Sequence, residues 1–175
     1  MVPTVFSADD ACAAVDAARF PPRGHRSVAF PIRPQLGRDV GEFLGAANDE
    51  VLVVLQVETA EALANLDGIL AVEGVDAAFM GPFDLSFSLG IFERHGYPAG
   101  FDSPEFKAAC ERMAAACASA GVAAGNFATG VEPARAMLDA GFTLLAVGTD
   151  VGLLEGASRQ HAAALQEMRA TRARR

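Results

Sequence analysis

Five short apolar runs, each followed by a stretch with helical spacing, organise this chain. Val2 to Phe6 leads into Ser7, whose hydroxyl is placed to cap a helix starting near Ala8, with Asp10 as the reciprocal acid. Val51 to Val57 is almost wholly apolar, as a strand buried on both faces of a parallel sheet should be. The helix after it repeats Ala62, Leu63, Leu66, Ile69 and Leu70 with a period of about 3.6 residues. Val75 to Met80 predicts a third strand, closed by Gly81-Pro82. Ser103-Pro104 opens a long helix that stops at Gly121, with Pro at the tolerated first position and Gly at the helix end. Val122 to Ala128 predicts the fourth strand, Val131 to Ala140 a helix ended by Gly141, and Phe142 to Gly148 the fifth strand. A last helix runs from about Val151 towards Arg169. Two long connections remain, Phe20 to Asp39 and Gly90 to Asp102, and loops of that length in a compact domain are usually functional.

Alternating βα units predict an α/β fold with a parallel sheet, in one domain over residues 1–175. No GxGxxG follows the first strand, so a dinucleotide-binding fold lacks its fingerprint. The pattern itself leaves an open doubly wound sheet and a barrel both standing, with a slight tilt to the barrel. In either, the polar residues at the strand ends, Gln56, Glu58, Asp84, Asn126 and Asp150, fall on the face where such folds do chemistry.

Composition narrows the function classes. A net charge of −8 argues against nucleic-acid binding, which needs a basic face. No apolar run approaches the roughly 18 residues of a membrane span. No basic segment leads into a long apolar stretch at the start, so no secretory signal is visible and a cytoplasmic location is expected. The three cysteines, Cys12, Cys110 and Cys117, are odd in number and lack a CxxC spacing, which suits buried thiols better than a disulfide or zinc framework. The arginines of the tail, Arg169 to Arg175, read as a solvated end.

The chemistry concentrates after the second and third strands. Alternation along Gln56-Val57-Glu58 puts Gln56 and Glu58 on one side. A carboxylate emerging from a buried strand is costly unless paired, hydrogen-bonded or bound to a cation. Asp84, in Gly81-Pro82-Phe83-Asp84-Leu85-Ser86, sits at the equivalent level of the next unit. Two carboxylates there, completed by water and a chelating ligand, suit an octahedral divalent cation, Mg²⁺, Mn²⁺ or Co²⁺. The alternative is that Glu58 caps the following helix and Asp84 a short turn.

The run LQVETAEALANLDGILAVEGVDAAFMGPFDLSFSLG, residues 55–90, resembles the signature of the HpcH/HpaI aldolases, with QxET followed by GPxDLS. The opening VPTVFSADDACAAVDAARFPPRGHRS and the ending GFTLLAVGTD are similar to the same family, so the likeness covers nearly the whole chain. GPFDLS fits the aldolase branch better than the citrate lyase β-type branch. The resemblance implies a (β/α)₈ TIM barrel of the phosphoenolpyruvate/pyruvate-binding type, of which this chain supplies strands four to eight. It implies a metal-dependent aldolase that reversibly cleaves a 2-oxo acid to pyruvate, or a similar acid, and an aldehyde. Glu58 and Asp84 would be the metal ligands and Gln56 would contact the 2-oxo acid. The backbone amides of Phe83 and Asp84 would hold its carboxylate. Phe83 replaces a small residue usual in the family, which puts the substrate's shape in question. A homo-oligomer is implied too, commonly a hexamer that exchanges its terminal helix.

The catalytic base is not assigned. His95, in the long connection after Asp84, is a weak candidate; His25 and His161 read as loop and helix residues, and Arg26, which matches the family's loop arginine, as a residue of loop packing or of contacts between subunits. The lone lysine, Lys107, lies mid-helix, which argues against imine chemistry. A closed barrel takes eight strands and about 250 residues. The family's base, its acidic partner and a substrate-binding arginine belong to the first three units, so the chain alone is expected to turn over little substrate. The competing reading is a non-catalytic remnant that keeps metal or 2-oxo-acid binding, or only a subunit-interaction surface.

Overall fold

A computed structural model describes residues 1–28 and 37–173, the last by its backbone alone. The middle of the first long connection, 29–36, lies outside the described residues. The elements are α1 (Ala8–Ala18), α2 (Val40–Glu50), β1 (Val54–Val57), α3 (Ala60–Ala64), α4 (Leu66–Leu70), β2 (Ala77–Met80), α5 (Pro82–Ser88), α6 (Ile91–His95), a 3₁₀ turn (Ala99–Asp102), α7 (Pro104–Ala120), β3 (Ala123–Ala128), α8 (Val131–Asp139), β4 (Leu144–Val147) and α9 (Asp150–Ala173). The strands form one parallel sheet in sequence order. Val54 pairs with Ala77, Ala78 with Ala124, and Asn126 with Leu145.

The expected first strand shrinks to one parallel bridge, Val2 to Leu55. Val2 N–H donates to Val54 O and Gln56 N–H to Val2 O, both at 2.8 Å. Pro3 then has no N–H to offer, and Thr4 turns to a φ of 52°, an unfavourable region for a β-branched residue. The ladder stops there. Four strands and a bridge therefore stand where five strands are predicted, in the predicted order.

The two faces of the sheet differ. Leu55, Val57, Ala78, Met80 and Ala124 point to the helix layer and join Leu66, Ile69, Met113 and Cys117 in the main core. On the other face Val54, Ala77 and Phe79 form a small cluster with Ala123 and Phe127. Gly125 is needed on this face, because a Cβ there would stand 2.6 Å from Phe79 Cδ2. Cys110 and Cys117 lie on the helix side, where burial pushes both thiols up to about 11 and leaves them unreactive.

Local signals explain the helices. Ser7 and Asp10 close the predicted capping box, and Ser103 Oγ accepts from Phe106 N–H ahead of Pro104. The helix expected as one piece around Ala62 to Leu70 breaks at Asn65, whose side chain donates to Phe6 O at 2.9 Å. Helix α2 has no counterpart in the expectation. Asp39 caps it through Gly41 N–H and Glu42 N–H, and Phe43 packs edge-on against Phe20. Gly41 and Gly45 dilute its periodicity, which hides it from a pattern search.

At the N-terminal edge of the sheet a buried ion pair ties four elements together. Arg19, 8% exposed at the end of α1, donates to Asn48 O at the end of α2 and to Gly74 O before β2. Its Nη2 also lies 3.2 Å from Asp76 Oδ2, which accepts Val53 N–H at 2.6 Å just before β1. Removing Asp76 leaves the buried Arg19 guanidinium without its counter-charge and Val53 N–H without its acceptor. Asp76→Ala is expected to cost roughly 3 kcal/mol, the low end for a broken buried pair because Asp76 stays a third exposed. Urea unfolding reads this directly, and an unchanged midpoint would mean the pair adds nothing to stability.

Candidate active site

At the opposite, C-terminal edge, Glu58 leaves β1 and is 5% exposed. Its Oε1 accepts Thr4 N–H at 2.8 Å and its Oε2 accepts from Gln56 Nε2 at 2.6 Å. Among the described residues no Lys, Arg or His side chain pairs with it. The capping alternative does not hold for Glu58: the cap of α3 is Thr59, whose hydroxyl accepts Ala62 N–H at 3.0 Å. Glu58 is a buried carboxylate held in place by two neutral donors.

Across from it the chain leaves β2 at Gly81, whose N–H donates to Val57 O at 3.0 Å. A Cβ at Gly81 would lie 2.6 Å from Glu58 Oε2, 2.7 Å from Glu58 Cβ and 2.9 Å from Gln56 Nε2. The glycine is therefore what lets the β2–α5 turn lie against the Glu58–Gln56 pair. Helix α5 follows at once, with Pro82 in its first turn, Asp84 exposed beside it, and no side-chain cap at its start. A carboxylate in the first turn complements the helix dipole. The remainder of the motif is structural: Leu85 is fully buried and Ser86, also buried, donates its hydroxyl to Pro82 O at 2.6 Å. Ser88 Oγ accepts Ala60 N–H, joining α5 to α3. Glu58 and Asp84 thus emerge at one edge of the sheet from adjacent units, as the sequence predicts.

Other candidates separate from this cluster. Asn126 does not face it. Alternation along β3 turns it to the helix side, where it is fully buried with Nδ2 3.7 Å from Met80 Sδ and Oδ1 accepting Phe127 N–H. Asp150 is exposed at the start of α9 and accepts Val151 N–H. His95 ends α6, and its Nε2 is held 3.1 Å from Glu105 Oε1 in the first turn of α7. The backbone N–H of Glu105 and this imidazole hold the Glu105 carboxyl below the ordinary glutamate range. His25 pairs with Asp16 at 2.6 Å, His161 is exposed on α9, and Lys107 is exposed on α7. Arg26 lies over the Phe20 ring at 4.6 Å, a loop-packing contact. Among the described residues no group of three or more His, Cys, Asp and Glu converges as a ready-made metal cage.

Sequence reasoning treats Phe83 as a backbone contact and misses its surroundings. Its ring stands 6.4 Å from Phe127 on the inner sheet face, 5.3 Å from Phe101 and 6.0 Å from Tyr97. Phe92 continues the array to Phe87, Tyr97 and Phe101 at 5.1 to 5.7 Å. The density of aromatics between residues 79 and 106 was the available signal.

The chain is 39% identical over 168 residues to the hydroxypyruvate/pyruvate aldolase of Cupriavidus necator, covering 95% of this chain and 60% of that protein. It is 39% identical to the 4-hydroxy-2-oxo-heptane-1,7-dioate aldolase of Shigella sonnei, over 93% of this chain and 60% of that protein. The crystal structure of an HpcH/HpaI aldolase/citrate lyase family protein from Burkholderia cenocepacia superposes with a TM-score of 0.81 at 38% identity, covering 95% of this chain and 63% of that one. The chain spans about 60% of the length of the curated relatives it matches, and its sheet is part of a TIM-barrel-type fold. With the family model of HpcH/HpaI aldolase/citrate lyase matching residues 1–157, the chain belongs to that family.

Proposed function

We propose that this chain carries the metal- and 2-oxo-acid-binding half of an aldolase site, one that reversibly cleaves a 4-hydroxy-2-oxo acid into pyruvate, or a similar acid, and an aldehyde. The observation that supports it most is Glu58, a buried carboxylate with two neutral hydrogen-bond donors and no cationic side chain among the described residues. Such a group gains most from a cation. Glu58 and Asp84 would hold Mg²⁺, Mn²⁺ or Co²⁺ through oxygen, with water and the substrate filling the other positions. The close approach that Gly81 allows sets the β2–α5 turn, which carries Asp84, against the Glu58 side chain. Bound there, the cation supplies Lewis-acid polarisation of the 2-oxo acid's carbonyl.

The chain's own residues would position the ligand. The Gln56 amide donates to the Glu58 carboxylate, and Gln56 would contact the 2-oxo acid. The amides of Phe83 and Asp84 would receive its carboxylate, a role that the absence of a side-chain cap on the first turn of α5 supports. Isothermal titration with Mn²⁺ is expected to show one site, tightened by pyruvate or oxalate and lost in Glu58→Ala and in Asp84→Ala. Gly81→Ala, which pushes on the pair that orients the ligand, should weaken that binding about 10–100-fold. Parent-like Mn²⁺ affinity in both carboxylate variants would remove the metal assignment.

We further propose that α9 packs against another copy of the chain. It is exposed along its whole described length and carries Val151, Leu153, Leu154, Leu165 and Met168 into solvent. Light scattering of the full chain should show an oligomer that Leu154→Asp shifts towards monomer; an unaltered mass would count against α9 as the contact.

A further inference from the structure

Beside the proposed site lies an open groove of about 620 Å³, lined by Phe83, Phe87, Gly90, Phe92, Glu93 and Tyr97. Its walls are four aromatic rings in edge or tilted contact. Phe87 and Tyr97 are 73% and 66% exposed, so the rings are presented rather than buried. The only charge in the lining is the carboxylate of Glu93. Arg94 Nε lies 3.6 Å from Glu105 Oε1 while its Nη1 stands beside Gly90 at the groove edge, and His95 Nε2 lies 3.1 Å from the same Glu105 oxygen. Phe83 is the link to the site: its ring forms the groove wall and stands 6.4 Å from Phe127 on the sheet, while its backbone lies in the α5 turn just before Asp84.

Resting on the aldolase reading above, we infer that this groove receives the side group of the aldehyde partner and selects one that is apolar, against one that ends in a carboxylate. Aromatic walls reward apolar contact area, and Glu93, which forms no ion pair within 4 Å among the described residues, repels a second anion. In the addition direction the methyl carbon of pyruvate loses a proton and bonds to the aldehyde carbon, whose oxygen takes up a proton. All atoms of both reactants stay in the adduct, so the aldehyde's side group sits in the groove in reactant and adduct alike. A 4-hydroxy-2-oxo acid with an aliphatic or aromatic tail is thus the adduct this surface fits.

The chain contains one tyrosine and no tryptophan, so its intrinsic emission reports on Tyr97 in the groove wall. The experiment titrates the full chain, with Mn²⁺ present and absent, with two adducts of pyruvate. One is 4-hydroxy-2-oxononanoate, from hexanal; the other is 4-hydroxy-2-oxoheptanedioate, from succinic semialdehyde. The nonanoate is expected to change Tyr97 emission saturably and to bind at least about tenfold tighter than the heptanedioate. Phe87→Ala should weaken the nonanoate about three- to tenfold. Glu93→Lys, on an exposed side chain, should reverse the preference towards the heptanedioate. Equal affinities, a parent preference for the heptanedioate, or an unchanged preference in Glu93→Lys each overturns the inference. If the preference holds but neither adduct responds to Mn²⁺, the groove stands and the Glu58 metal reading fails.

Discussion

A carboxylate taken out of water at the end of a parallel strand has to be compensated, and at Glu58 the compensation is two N–H groups from different parts of the chain. The features around it follow from that need. Thr4 leaves the sheet ladder and adopts a positive φ, with its N–H on Glu58 rather than on a neighbouring strand. Gln56, on the same face of β1, spends its amide on the other oxygen. Gly81 gives up a side chain so that the next unit can close over the pair. Three local irregularities, each unfavourable alone, are mutually consistent around one anion.

The sheet divides its labour between its ends. At the N-terminal edge Arg19 and Asp76 neutralise each other and lock helices to strands. At the C-terminal edge the carboxylates of Glu58 and Asp84 leave adjacent units, and among the described residues neither forms an ion pair. Paired charge at one end and unpaired charge at the other is what a scaffold with a binding edge requires.

Much of this is legible in the sequence, for physical reasons that also mark its limits. Buried parallel strands advertise themselves as continuous apolar runs, so the order of β1 to β4 and the shared edge of Glu58 and Asp84 follow from pattern. Residues whose role depends on facing direction are harder. Asn126 looks like Gln56 in the sequence, a polar residue near a strand end, but it lies at the other parity and faces the helices. Helix α2 is hidden by two glycines, the Val2 segment is cut short by Pro3, and α5 is too short for periodicity to show. The Arg19–Asp76 pair joins residues 57 apart, beyond any local signal. The aromatic array around Phe83 is visible as composition, whereas its meaning needs the fold.

That same separation bears on how the chain folds. Arg19 closes loops of 29, 55 and 57 residues to Asn48, Gly74 and Asp76. It can do so only once α2, which carries Asn48, and the segment leading into β2, which carries Gly74 and Asp76, have both come up to the end of α1. Loop-closure entropy therefore places its contacts on the native side of the folding barrier. Loosening this node raises the unfolding rate and leaves the folding rate nearly untouched. The buried arginine is thus a kinetic latch: it lengthens the lifetime of a sheet that other contacts assemble.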